Sequence, residues 1–330
     1  MAVNVSIPST RIKGLMRSFE NMFNNRINKD PDRKKLAQIM DFIPSKNNAR
    51  DETFYFLTDP PSWERWDEGD PRSLGSLSDQ SWTVPITKWQ SGIQWKRIDQ
   101  EDEIIQGRLL SQARGISKKA SLVDIEVFFQ ILQGTTDPKR LKVIPTAADG
   151  LALYSSSREL FGSNGNIVGG SGVSTVAKIK ADFFECLERL HNVRDTHNDL
   201  YHPDSAIDGG MVLIFNDAHR ERFFEAFNAK IIRQGEAGVE NIVSTMFGAV
   251  ELWPTPRVTG DDWYLMLKEM PEKPIFALER NDMGGMEQIL VTEQNSDYCR
   301  NNDVRQIVYR MRKGYGVSLP LGTVKVDNTN

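Results

Sequence analysis

Three of the four histidines lie close together, His191, His197 and His202, among Asp195, Asn198, Asp199 and Asp204. Imidazoles and carboxylates are the ligands of zinc and other divalent metals. A metal site on one helix needs its ligands three or four residues apart, and no His-Glu-x-x-His run occurs. The spacing here favours a solvated loop, and no metal is expected. Residues 162–172 read Gly-Ser-Asn-Gly-Asn-Ile-Val-Gly-Gly-Ser-Gly. This has the glycine content of a phosphate-binding loop but lacks the following Gly-Lys-Ser/Thr, so it reads as a mobile surface loop. No Gly-x-Ser-x-Gly nucleophile turn is present. The acidic pair Asp261/Asp262 reads as surface or capping residues. A glycosidase would need two carboxylates across one cleft, which no pattern in the chain indicates. The basic cluster Arg300, Arg305, Arg310, Arg312 and Lys313 reads as a solvated or salt-bridged strand face. No catalytic or cofactor-binding residues are assigned.

The concentrated chemistry is aromatic. Five of the seven tryptophans fall between positions 63 and 95: Trp63, Trp66, Trp82, Trp89 and Trp95. Pro60, Pro61, Gly69, Pro71, Gly75, Pro85 and Gly92 surround them, so the segment is expected to be extended. Burying one indole removes about 200 Å² from water, at most about 5 kcal/mol at about 25 cal/mol per Å². A thin arm has no interior for five such rings. Charged residues, Glu64, Arg65, Asp67, Glu68 and Asp70, interrupt them, the mixed character of an interface. Two coverings are open: a core hairpin within one domain, or a neighbouring molecule. The second is favoured. It makes Trp63, Trp66, Trp82, Trp89, Ile93 and Trp95 intersubunit contact residues.

Composition limits the alternatives. The 330 residues are 26% charged and 39% hydrophobic, ordinary for a folded protein. The formal net charge of -4 argues against a general nucleic-acid binder. Two cysteines, Cys186 and Cys299, are too few for a disulfide scaffold. No apolar run is long enough to span a membrane, and residues 1–13 lack a secretory core. Synthesis in the cytoplasm is the expectation.

Several elements would position the aromatic segment. Ile12, Leu15, Met16, Phe19, Met22, Phe23 and Ile27 recur at helical spacing over 9–28. This is either an ordinary first helix or an arm on a polar tether; as an arm, Leu15, Phe19 and Phe23 would contact a neighbour. A long strand is expected over 81–98, bulged near Lys88, with Pro85 marking an edge. A helix follows over 101–134, stopped by Gly134. Further helices are expected over 174–190 and 218–229. Strands are expected over 211–215, 273–279, 288–292 and 303–326. In the last, Ile307, Tyr309 and Met311 alternate with Val308, Arg310 and Arg312.

The order of these elements resembles the major capsid proteins of tailed double-stranded-DNA phages, with the Hong Kong 97-like α+β fold. Within that fold it is most similar to the major head subunit of Mu-like phages. Phe54-Tyr-Phe-Leu57, Pro61-Ser-Trp-Glu-Arg-Trp66 and Gly69-Asp-Pro-Arg72 resemble the entry to that family's extended loop. Trp82-Thr-Val-Pro-Ile-Thr-Lys-Trp89 through Ile93-Gln-Trp-Lys-Arg97 resembles the return strand. Residues 102–134 resemble the spine helix. Gly210-Met-Val-Leu-Ile-Phe215 resembles the start of the axial domain, and Arg312-Lys-Gly-Tyr-Gly-Val317 the final strand of the peripheral domain.

The resemblance implies a division into an N-terminal arm (1–50), an extended hairpin loop (51–100), the spine helix and first part of the peripheral domain (101–205), an axial domain (206–272) and the final peripheral strands (273–330). It implies a non-enzymatic subunit that assembles into hexamers and pentamers of an icosahedral head around double-stranded DNA. Implied partners are further copies of the chain, a portal, a scaffold or maturation protease, and decoration proteins. The implied location is the virion. A tail or baseplate protein, or a carbohydrate-active enzyme using the indoles as a sugar platform, remain the alternatives.

Overall fold

The computed structural model describes residues 31–45, 51–57, 79–101, 106–159, 165–194, 199–201, 210–228, 231–234, 237–240, 250–268, 270, 272–280, 286–292 and 294–328. In chain order these form α1 (Pro31–Leu36), β1 (Met40–Pro44), β2 (Asp51–Leu57), β3 (Asp79–Pro85), β4 (Thr87–Lys96), α2 (Arg97–Glu101), α3 (Gln106–Gln133), β5 (Ile167–Gly169), α4 (Val176–His191), β6 (Met211–Asn216), α5 (Arg220–Asn228), β7 (Ile231–Gln234), β8 (Ala237–Glu240), β9 (Val250–Thr255), β10 (Trp263–Leu267), β11 (Ile275–Glu279), β12 (Met286–Val291), α6 (Asp297–Asn302), β13 (Val304–Val317) and β14 (Thr323–Asp327). The expected N-terminal helix, with Leu15, Phe19 and Phe23, lies outside the described residues, as do Trp63 and Trp66.

Two five-stranded sheets carry the fold. The first is organised by β13. β4 runs antiparallel beside residues 304–313 of that strand. β12 pairs with 306–311 and β11 with 313–317, so these two follow one another along the opposite edge. β1 lies parallel to β11. The second sheet has the order β5-β14-β10-β6-β9. Its central strands are buried on both faces, which is why β6 and β10 read as uninterrupted apolar runs. Met211, Leu213, Phe215, Trp263, Leu265 and Leu267 face α4 and α5. Val212, Ile214, Tyr264 and Met266 face the other way, into a core shared with α3, β11 and β13.

Local chemistry explains the boundaries. Thr175 caps α4, its hydroxyl accepting from the Lys178 N–H at 3.4 Å. Ile179, Phe183, Cys186, Leu187 and Leu190 then bury one face of that helix at helical spacing. α3 stops where expected. Gly134 adopts φ 64°, its N–H reaches the Ile131 carbonyl, and the Thr135 N–H reaches that of Gln130. A left-handed residue with this paired bonding closes the helix end and favours glycine there.

The structure revises two expected strands. The strand expected over 81–98 is interrupted at Ile86. β3 pairs with β2 in a separate two-stranded hairpin, and β4 joins the β13 sheet. The strand expected over 303–326 is likewise two strands. Pro320 has no N–H to donate, and the 318–322 segment turns the chain, so β14 enters the second sheet beside β10. The final segment, 273–330, therefore divides between both sheets.

Candidate assembly interface

The hairpin grows from a root on the β13 sheet. A Cβ at Gly314 would lie 2.8 Å from the Pro85 carbonyl oxygen and 3.4 Å from Val84 Cγ1. One at Gly316 would strike the Phe276 ring at 2.4 Å. The two glycines therefore clear a flat seat on β13 for the end of β3 and for Phe276. Phe54 of β2 packs on Phe276 with ring centres 5.0 Å apart, and on Trp82 at 5.5 Å. Val84, Leu278, Ile43 and Ile86 complete this small cluster. The buried Trp82 Nε1 has no hydrogen-bond partner among the described residues.

β4 presents its other indoles to the same molecule. Trp89 is half-buried, edge-on to Tyr315 at 6.0 Å, and its Nε1 donates to the Lys313 carbonyl at 3.4 Å. Thr87 Oγ1 donates to the same carbonyl at 3.0 Å. The open side of Trp89 lines a cleft of about 180 Å³ between α3 and the β4/β13 ladder, with Ile116, Ala120, Val123 and Met311 on its walls. Ile93 and Trp95 are each only 9% exposed. Little of either side chain is left for a neighbour to cover. β13 and the residues packed on it shelter them within one chain, because β4 is a strand of a sheet and not a free arm.

An ionic chain, buried at Asp124 and Lys313 and half-buried at Arg33 and Glu279, locks this root in place. Arg33 of α1 meets Glu279 of β11 at 2.6 Å. Glu279 meets Lys313 of β13 at 2.9 Å. Lys313 Nζ donates to both oxygens of Asp124 on α3, each at 2.9 Å. The Tyr315 hydroxyl donates to Asp124 at 2.7 Å. Asp124 is only 1% exposed. Two cations and two carboxylates alternate, so the cluster is formally neutral and each charge has an opposite neighbour, the condition for tolerating buried ions. Burial, reinforced by the Asp124 charge and hydrogen bond, holds the Tyr315 phenol well above its ordinary pKa. Through these five side chains α1, α3, β11 and β13 are pinned together at the strand that carries β4.

The sequence reading missed this chain, since Asp124 and Lys313 are 189 positions apart. Its one local signal was a carboxylate inside an apolar helical pattern, Asp124 preceding Val127, Phe128 and Ile131. The cluster Arg300, Arg305, Arg310, Arg312 and Lys313 is dispersed: Lys313 turns inward, and Arg300 sits on α6.

The remaining motifs have structural roles. Gly165 has φ 58°, and Cβ substitution there would overlap the Ser155 carbonyl. The Ser171 N–H and hydroxyl both donate to Asp182, at 3.0 and 2.5 Å. The Gly172 N–H donates to Asn328. The described part of the glycine-rich segment is thus tied to its own chain, not the mobile loop expected, and these donors are already engaged. Asp262 accepts from the Asn328 N–H and pairs with Lys325 at 2.8 Å, while Asp261 meets His219. Among the described residues no group of His, Cys, Asp or Glu is arranged to hold a metal, and His197 and His202 lie outside them.

No protein-family model matches this sequence, and no curated protein matches it either. Solved structures do match its fold. The capsid of a native GTA particle aligns with a TM-score of 0.57 at 10% identity, covering 89% of this chain and 90% of that one. The capsid of the Myoviridae phage XM1 aligns at 0.53 and 11% identity over 89% and 90% of the two chains. The mature capsid of bacteriophage PhiM1 aligns at 0.53 and 11% over 89% and 86%. The chain has the mixed α+β fold of phage capsid subunits. At such identities this is a statement about fold, and function must be argued separately.

Proposed function

We propose that this chain is the major capsid protein of a tailed-phage head, a structural subunit with a Hong Kong 97-like fold. The observation that carries the reading is the fold shared with capsid subunits across about nine-tenths of both chains. The element order supports it further. A hairpin stands on the root formed by Gly314 and Gly316, a 28-residue helix follows, and α3 ends between two sheets. No catalytic role is proposed.

In this reading copies of the chain form hexamers and pentamers of an icosahedral shell enclosing double-stranded DNA. Closed symmetry repeats each contact many times, so modest contacts sum to a stable particle. Trp63 and Trp66, between β2 and β3 in sequence, and Leu15, Phe19 and Phe23 of the N-terminal segment are assigned to contacts with neighbouring copies. Trp89 is assigned a share of such contact through its open side. Membership of the Mu-like group rests on the motif order from Phe54 to Val317. A portal, a scaffold or maturation protease and decoration proteins are the expected partners, and the virion the expected location.

The test is direct. The expressed protein, imaged by negative stain and sized by light scattering, should form closed shells or their capsomers. A protein that stays monomeric at all concentrations would exclude the proposal, and open tubes or rings would move it to a tail or baseplate role.

A further inference from the structure

The cleft between α3 and the β4/β13 ladder has walls that are fixed by their own contacts. On the strand side Trp89 is held by its Nε1 bond to the Lys313 carbonyl at 3.4 Å and by the edge-on Tyr315 ring at 6.0 Å. Met311 is the register partner of Trp89 and lies beside it, because residues directly opposite in an antiparallel pair share a face. On the helix side Ile116, Ala120 and Val123 follow at intervals of four and three, so they share one face of α3. Val123 and Tyr309 are buried, whereas Trp89, Ile116, Ala120 and Met311 are half-buried. The hollow therefore has a closed floor and an open mouth. Ala120 stands between two branched residues and contributes only a methyl group to its wall, which leaves room there.

Size and charge narrow what can enter. The hollow measures about 180 Å³. An apolar cavity of about 150 Å³ takes one benzene ring, so one ring with a short side arm matches this volume. Trp89 and Met311 both favour an aromatic neighbour, the indole through ring contact and the thioether through its polarizable sulfur. The polar groups set the sign of the charge. Lys119 and Arg140 line the cleft, and none of its described lining residues is a carboxylate. Arg140 is already answered by Glu126 at 2.8 Å. Lys119 lies three residues from Ile116 and four from Val123, on the α3 face turned to the cleft. It is exposed and forms no ion pair among the described residues. A carboxylate at the mouth meets this cation while its ring stays on the apolar walls.

We propose that the cleft is a binding site for a small aromatic carboxylate, with the ring against Trp89, Met311 and Val123 and the carboxylate at Lys119. The inference goes beyond the capsid reading and uses groups of a single chain, so either can fail without the other. Because the indole is held before a ligand arrives, binding spends little on ordering the protein. A cationic ring is repelled by Lys119 and Arg140. An uncharged ring keeps the walls but loses the contact at the mouth.

The probe is 3-phenylpropionate, titrated into the full-length unassembled subunit, in which no neighbour contests the open side of Trp89. Calorimetry reads stoichiometry and affinity, and tryptophan emission reads the indole. One site per chain is expected, with a dissociation constant of about 1 mM or below and an emission change that Trp89→Phe abolishes. The uncharged 3-phenylpropionamide should bind about fivefold or more weakly, and Lys119→Glu should weaken binding of the carboxylate by a similar factor. Ala120→Leu fills the hollow and should abolish binding, with circular dichroism and thermal melting checking its fold. Lys119→Glu changes an exposed side chain and carries the test if Ala120→Leu does not fold. The inference is overturned if 3-phenylpropionate shows no saturation below about 20 mM, or if a folded Ala120→Leu protein binds as the unaltered one does. Equal binding of the amide and the carboxylate overturns it too, since the cation then selects nothing. So does saturable binding that neither Lys119→Glu nor Trp89→Phe alters, which would put the probe elsewhere on the molecule.

Discussion

Asp124→Asn is the most informative single change in the subunit, because it removes one charge and almost no volume. Asp124 accepts two bonds from Lys313 and one from Tyr315. Deleting one partner of a buried pair costs about 3–5 kcal/mol when the other charge is stranded. Lys313 keeps Glu279 at 2.9 Å, so the ionic part should fall to about half of that, near 2 kcal/mol. The Tyr315 bond changes from a charged to a neutral acceptor, worth about 1 kcal/mol more. The expected loss is about 3 kcal/mol, or a fall of about 1 M in the urea midpoint at a slope near 3 kcal/mol/M. Urea unfolding of the unassembled subunit, followed by tryptophan emission, measures it. Glu126→Gln is the matched control two residues along the same helix. Glu126 is half-exposed and pairs with Arg140 at 2.8 Å. Its loss should cost less than about 1 kcal/mol. If Asp124→Asn is no more harmful than Glu126→Gln, the buried chain does not hold α3 to β13 and the reasoning fails.

Three further outcomes are expected. Burial raises the phenols of Tyr154 and Tyr315 well above their usual value, and takes Tyr309 to about 12. Their folded pKa values exceed the unfolded ones, so the associated stability is complete below about pH 10 and is lost as pH rises beyond it. Absorbance titration near 295 nm should therefore show these phenols ionising together with unfolding above pH 10; early, normal titration of all seven would contradict the burial. Gly316→Val should displace Phe276 and with it Phe54, costing about 1–3 kcal/mol in the same urea assay, and an unchanged midpoint would mean that the hairpin root is not seated there. Trp95→Ala should destabilise the isolated subunit by about 3 kcal/mol or more, whereas Trp63→Ala should leave its melt intact and reduce particle yield. The reverse pattern would exchange the roles assigned to the two indoles.

Much of the architecture was legible in order along the chain. The period of three and four ending at Gly134, the apolar runs of β6 and β10, and the alternation of β13 are short-range patterns. Each is set by the geometry of one helix or strand, so it survives without knowledge of partners. Two breaks were hidden. Nothing local at Ile86 says that the residues before it pair with β2 and those after it with β13. The turn at 318–322 sends β14 to a different sheet for an equally non-local reason.

The aromatic strip shows the same divide. Its composition established that five indoles needed covering, since that follows from surface area alone. Which molecule covers each ring is a question of tertiary position. Trp95 and Ile93 are covered by the rest of their own fold, Trp82 by Phe54 and the root cluster, and Trp89 only partly, beside the cleft. The sequence marks Asp124 as a carboxylate in an apolar pattern but not its partner, because opposite charges 189 positions apart carry no mark of their partnership until folding brings them within 3 Å. Residue types and their periods determined which elements form and how much apolar surface must be hidden. Only the packing of β4, α3 and β13 decided which charges meet and which face of the ladder remains open, since burial and ion pairing depend on distances that the chain acquires on folding.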